Sequence, residues 1–130
     1  MFCSLLFASW LCFQLPTEVG NTIVCEPIVY DKKAIATAYN LEASQTDGTP
    51  CIGAGSHDLC LSLKENPDKC IIATRLYPLH RKLLIEGFGE CEVLDRTSQK
   101  YGDRIDILMP TYEEAIRFGK KEIRYRVIEI

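Results

Sequence analysis

The chain has 130 residues, 47% hydrophobic and 25% charged, with a formal net charge of −3 at pH 7. That apolar content suits one domain with one core, and eight Gly and six Pro without a repeat exclude fibrous and low-complexity chains. The negative balance excludes a general phosphate-binding surface, so nucleic acid is not an expected partner. One local basic group, Arg117, Lys120, Lys121, Arg124 and Arg126, is interspersed with Glu113, Glu114 and Glu122 and reads as a solvated strand face.

Residues 1–15, MFCSLLFASWLCFQL, carry no charge. The run is short for a transmembrane helix, which needs roughly 20 apolar residues, and fits the hydrophobic region of an export signal or a short retained anchor. The usual basic start is missing, since the first Lys or Arg is Lys32. Residues 16–33 hold two Pro and mixed polarity, and read as a linker with at most one short strand. The expected organisation is therefore a leader and linker over 1–32 and a folded domain over 33–130. Its expected location is secreted or cell-envelope associated, outside the cytoplasmic membrane.

Seven Cys are many for this length. Cys3, Cys12 and Cys25 fall in the leader and linker, which leaves Cys51, Cys60, Cys70 and Cys91 as disulfide candidates with three possible pairings. A zinc site from Cys51, His57, Cys60 and Cys70 competes, but the spacings are irregular and no CxxC pair exists, so no metal or cofactor is expected.

From Lys33 onward the signals are mostly of β type. AIATAY at 34–39 is a strand, NLEASQTDGTP at 40–50 a polar turn region, and CIGAGSHDLCLSLKENPDK at 51–69 reads as a loop. CIIATR at 70–75 is a strand, and Pro78 breaks the chain. KLLIEGFG at 82–89 enters a Gly-x-Gly turn, ECEVLD at 90–95 returns, and RIDILM at 104–109 is a further strand. One helix is predicted at 112–118, between a Thr111/Glu114 capping box and a Gly119 stop. In the last strand Ile123, Tyr125 and Val127 alternate with Arg124 and Arg126. Many short strands with one short helix predict a small, mainly β barrel.

Two carboxylates raise a chemical question. In a strand, Ile105 and Ile107 share one face and Asp106 points to the other with Leu108, so partial desolvation would raise the Asp106 pKa towards that of a general acid. Asp95 closes the preceding strand on the face of Val93 and Cys91, and the SQKYG connection could bring both Asp side chains to one rim. The competing reading makes Asp95-Arg96 and Asp103-Arg104 local ion pairs or turn caps. His57 and His80 have no nucleophile at telling distance, and His80 reads as a surface residue.

The run PLHRKLLIEGFG, then CEVLDRTSQKYGDRIDILMPTYEEAIRFGKK, resembles the three-aspartate (3D) domain family, and the likeness extends upstream to ATAYN at 36–40 and DGTPCIGAG at 47–55. The resemblance implies a six-stranded double-psi β-barrel, the fold of the catalytic domain of membrane-bound lytic transglycosylase A, of barwin-like rare lipoproteins and of expansins. It implies cleavage of peptidoglycan glycan strands; a monomer without a cofactor is expected. On this likeness Asp106 takes the acid/base position and Asp95 the loop-opening aspartate. Thr37 and Tyr39 border the cleft, with Arg104 and Lys100 beside the substrate; Tyr39 could stack on a sugar or belong to the core. The chain departs from the family pattern where Thr74 and Arg75 replace the third aspartate, where His80-Arg81 replace Gly-Thr, and in the loop from Arg96 to Tyr101. Those departures leave a rival reading, a non-catalytic wall-binding or wall-loosening module of expansin type.

Overall fold

The computed structural model describes residues 4–7, 10–41, 51–56 and 58–128. His57 and most of the 40–50 turn region lie outside the described residues. The segment before Lys32 carries more structure than expected. Strands β1 (Ser4–Phe7), β2 (Trp10–Thr17) and β3 (Gly20–Pro27) form an antiparallel sheet in the order β1-β2-β3. The β2–β3 turn closes with Thr17 Oγ1 donating to the Gly20 carbonyl at 2.8 Å, and Gly20 takes a φ of 142° that side chains rarely adopt. Cys12 and Cys25 sit directly opposite one another in that register and are joined by a disulfide. Two consecutive β-compatible runs flanking a Glu18-Val19-Gly20 turn thus pair as a hairpin where at most one short strand was expected.

Six further strands close a barrel: β4 (Lys32–Tyr39), β5 (Cys70–Thr74), β6 (Lys82–Ile85), β7 (Gly89–Asp95), β8 (Ile105–Leu108) and β9 (Lys121–Val127). Their order is β4-β8-β5-β7-β6-β9, returning to β4. The pairs β4–β8 and β5–β7 are parallel and the other four antiparallel. Closure leaves these strands without a free edge. The six-stranded, mainly β barrel expected from the sequence is present.

Alternation fills the interior. Ile72, Leu83, Ile85, Val93, Ile105 and Ile107 are buried together with Tyr125. Each such aliphatic side chain contributes about 1.5–3 kcal/mol by leaving water. The β-branched shapes of Ile and Val, which predominate here, also favour the strand.

Among the described residues there are two short α-helices where one helix was expected. The one at Tyr112–Phe118 (α2) starts where predicted: Thr111 Oγ1 accepts the Glu114 N–H at 3.1 Å, and Gly119 ends it with φ 69°. The other, α1 (Leu59–Glu65), lies within the segment read as a loop. Asp58 caps it by accepting the Leu61 N–H at 2.9 Å. Leu59 and Leu63, one turn apart, lay its apolar side on Ile71 and Leu94, forming a second small core outside the barrel wall. Seven helical residues between a Gly-rich loop and an Asn-Pro-Asp turn offer too short a period to stand out. Helix formation there follows from packing rather than propensity.

Candidate functional site

The barrel's outer face, rather than its interior, holds the aspartates. Across four adjoining strands the register aligns Thr37 of β4 with Asp106 of β8, Asp106 with Ala73 of β5, and Ala73 with Asp95 of β7. Residues in one such row share a face. Ile105 and Ile107 belong to the barrel core, so Asp106 points outward, as its alternation predicts.

Asp95 reaches this row through an irregularity. Ile72 pairs with Val93 but Ala73 pairs with Asp95, so Leu94 is an extra residue on β7. Perfect alternation would set Asp95 on the face of Val93 and Cys91, which are in the barrel core. The bulge reverses that expectation: Leu94 packs outside with Leu59 and Ile71, and Asp95 follows it to the outer side. Ala73 separates the two carboxylates and has no side chain large enough to screen one from the other.

Three donors converge on Asp95. The Ala54 N–H donates to Oδ1 at 3.0 Å, the Arg96 N–H to the same oxygen at 2.8 Å, and the Tyr39 hydroxyl to Oδ2 at 3.5 Å. Ala54 is delivered by the loop after Cys51, which the Cys51–Cys60 disulfide ties to α1. Gly53 lets that loop approach closely, since a Cβ there would lie 2.6 Å from the Leu94 carbonyl and 3.1 Å from Leu59 Cδ2. The loop therefore rests on the bulge it helps to define.

Asp106 is served more sparingly. Thr37 Oγ1 donates to its Oδ1 at 3.2 Å, and among the described residues it forms no ion pair within 4.0 Å. Burial of its carboxyl raises the pKa from 3.8 to about 6; the Thr37 hydrogen bond and the Arg104 charge oppose the rise, and the Asp95 charge adds to it. Burial is also the first cause that pushes the Tyr39 hydroxyl far above its ordinary value, followed by the charges of Asp95 and Asp106. Tyr39 accordingly keeps its proton and acts as a donor.

Of the residues singled out in the sequence, Asp106, Asp95, Thr37 and Tyr39 are brought together, and Arg104 is close enough for its charge to act on Asp106. Lys100 makes neither a hydrogen bond nor an ion pair with either aspartate; its Nζ lies 5.0 Å from the centre of the Tyr101 ring. The local ion pair imagined between Asp95 and Arg96 does not form. Arg96 instead sends Nη1 to the Thr74 carbonyl at 2.6 Å and to the Tyr77 carbonyl, while Arg75 Nε donates to the Thr97 carbonyl at 2.7 Å. These two arginines fasten the segment after β7 to the segment after β5. Thr74, standing where the three-aspartate pattern has its third acid, is buried and donates to the Arg104 carbonyl at 3.0 Å.

The four candidate cysteines pair as Cys51–Cys60 and Cys70–Cys91. The thiolates that the competing zinc site requires are thereby consumed, and no cluster of metal-ligating side chains occurs among the described residues. His80 is at the surface, with Nδ1 3.2 Å from Glu92. Sequence reasoning missed the Ala54 and Arg96 amides and the bulge that turns Asp95 outward. The Gly53-Ala54-Gly55 run was the one available signal of a close backbone approach.

Fold and site together define a disulfide-bonded, closed β-barrel with an aspartate pair on its outer face. Two curated proteins of Bacillus subtilis (strain 168) are similar to it. YabE, named for cell-wall shaping, is 30% identical over 95 residues, which is 72% of this chain and 22% of YabE. YocH, named as a cell wall-binding protein, is 28% identical over 95 residues, 72% of this chain and 31% of YocH. The likeness thus spans less than a third of either relative's length. No family model and no solved structure matches the chain significantly.

Proposed function

We propose that this domain cleaves the glycan strands of bacterial peptidoglycan as a glycosidase of lytic transglycosylase type, with Asp106 as its single acid/base. The observation that carries the reading is a half-buried carboxyl with a pKa of about 6, in one row with Asp95 and, among the described residues, hydrogen-bonded at Oδ1 alone. The names of the two relatives support a wall-directed role, and three disulfides support maturation in an oxidising, extracytoplasmic compartment.

In the proposed reaction, protonated Asp106 donates to the glycosidic oxygen as the C1–O bond breaks. The resulting carboxylate then takes the proton of the C6 hydroxyl of the same sugar, whose oxygen bonds to C1 and closes a 1,6-anhydro ring. Asp106 alternates between its two states and no protein nucleophile is needed. Asp95, saturated with donors, fixes the loop and contributes the negative charge that helps keep Asp106 protonated. The two backbones are two strands apart, roughly 9.5 Å. That spacing disfavours a retaining pair, whose carboxyls stand about 5–5.5 Å apart, and leaves an inverting pair, at about 6.5–9.5 Å, as the alternative. The three donors that engage Asp95 favour Asp106 as the single acid/base over that pair.

A wall-binding module that uses the same face without cleavage is the second reading, favoured by the binding role in YocH's name. A turbidity assay on purified peptidoglycan separates the two. Catalysis predicts clearing by the wild type and none by Asp106→Asn. Sedimentation with the wall, with no clearing by either protein, would favour the binding module.

A further inference from the structure

Beside the aspartate row, two residues before Asp106 in the approach to β8, Arg104 opens onto a separate cavity of about 370 Å³. Its lining includes Lys33, Lys120 and Tyr101, with the buried Tyr125 and one carboxylate, Asp103. Three cations against one anion leave an excess of positive charge on a protein whose net charge is −3. The excess is available to a ligand. Lys33 reaches Glu122 only at 4.0 Å in an exposed pair, and neither Arg104 nor Lys120 forms an ion pair with a described residue.

The cavity is also organised. The Arg104 guanidinium lies 4.4 Å from the centre of the Tyr101 ring, an arrangement that holds the fork in place and leaves its edge donors free. Its backbone is held by Thr74 Oγ1. The Tyr125 hydroxyl is joined to that of Tyr77 at 2.8 Å, which stiffens the wall. Lys120 is set apart from the rest of its basic group: Arg124 is taken by Glu86 at 2.7 Å and Lys121 lies over Phe118, whereas Lys120 faces the cavity.

We propose that this cavity is a subsite for a carboxylate carried by the substituents of the glycan whose linkage lies over Asp106. A planar fork with two flanking ammonium groups matches a carboxylate in shape and charge. Tyr101, 43% exposed, offers apolar contact to the arm that bears it. The proposal rests on the glycan reading above, and it gives the aspartate row a direction: the acidic substituent points towards Lys120.

The test uses the full chain carrying Asp106→Asn, so that ligands stay intact, and isothermal titration with four probes. These are a peptidoglycan tetrasaccharide with free carboxylates, its methyl ester, the uncharged N-acetylglucosamine tetramer and polyglycerol phosphate. The free acid should bind at least tenfold tighter than the ester. Adding Lys33→Gln and Lys120→Gln should erase that preference while leaving affinity for the uncharged tetramer unchanged. Equal affinity for acid and ester, a preference that survives the lysine changes, or tighter binding of polyglycerol phosphate would each overturn the subsite. The outcome is independent of cleavage. An acid preference without clearing by the wild type keeps the subsite and removes the glycosidase, and clearing without the preference does the reverse.

Discussion

Replacing Asp106 with Asn should stabilise the protein at neutral pH while removing the proposed chemistry. The reason lies in linkage. The carboxyl titrates near 6 when folded, against 3.8 in an unfolded chain, a rise caused first by burial. A group whose folded pKa is raised favours the folded state fully only below its unfolded pKa, and that contribution fades as pH climbs through the folded value. About two units at 1.36 kcal/mol each correspond to about 3 kcal/mol lost between pH 3.5 and pH 7.5. Solvent reaching the half-buried carboxyl reduces the expected figure to about 2–3 kcal/mol. The asparagine amide carries no charge to desolvate, and its oxygen can still accept from Thr37. Urea unfolding of both proteins at the two pH values measures the difference directly. The stability advantage of Asp106→Asn should be about 2–3 kcal/mol larger at pH 7.5 than at pH 3.5. An advantage that changes by less than about 0.5 kcal/mol would show that the carboxyl is not desolvated and refute the reasoning.

Other outcomes follow from the same geometry. Wall clearing should fall about tenfold per pH unit above about 6, as protonated Asp106 is lost; a flat profile to pH 8 would contradict its role as acid. Gly53→Ala should cost about 1–3 kcal/mol, because the added Cβ meets the Leu94 carbonyl, and the loop should lift from Asp95. Hydrogen exchange at the Ala54 amide should then accelerate while the barrel strands stay protected. Arg96→Ala strips two carbonyls of a charged donor and should cost about 2–4 kcal/mol by urea unfolding. Cys70→Ser with Cys91→Ser opens a crosslink spanning 21 positions and should cost about 3 kcal/mol, read as a drop in Tm.

Local pattern carries much of the barrel. The strands from Lys32 to Val127 are legible because each alternates or is bounded by Gly, Pro or Asp, and α2 because Thr111 and Gly119 mark both ends. What escapes is non-local. The bulge at Leu94 depends on β5 and β7 meeting in parallel, a pairing that no window of sequence contains, so Asp95 reads as facing the core side. The Cys51–Cys60 and Cys70–Cys91 pairing needs the fold before it can be chosen. Cys12–Cys25 was hidden because an uncharged, apolar start resembles a signal segment more than a hairpin. The outward direction of Asp106 was readable, since Ile105 and Ile107 leave its side chain no other face. Its neighbours across the sheet, Ala73 and Thr37, lie 33 and 69 positions away in the chain.

The most direct test is mass spectrometry of the fragments released from purified peptidoglycan at about pH 5.5, just below the Asp106 pKa, where the acid form predominates. Wild-type protein should liberate muropeptides ending in 1,6-anhydro-N-acetylmuramic acid, and Asp106→Asn should liberate none. Equal release by both proteins, or reducing ends in place of anhydro ends, would contradict the single acid/base on the outer face.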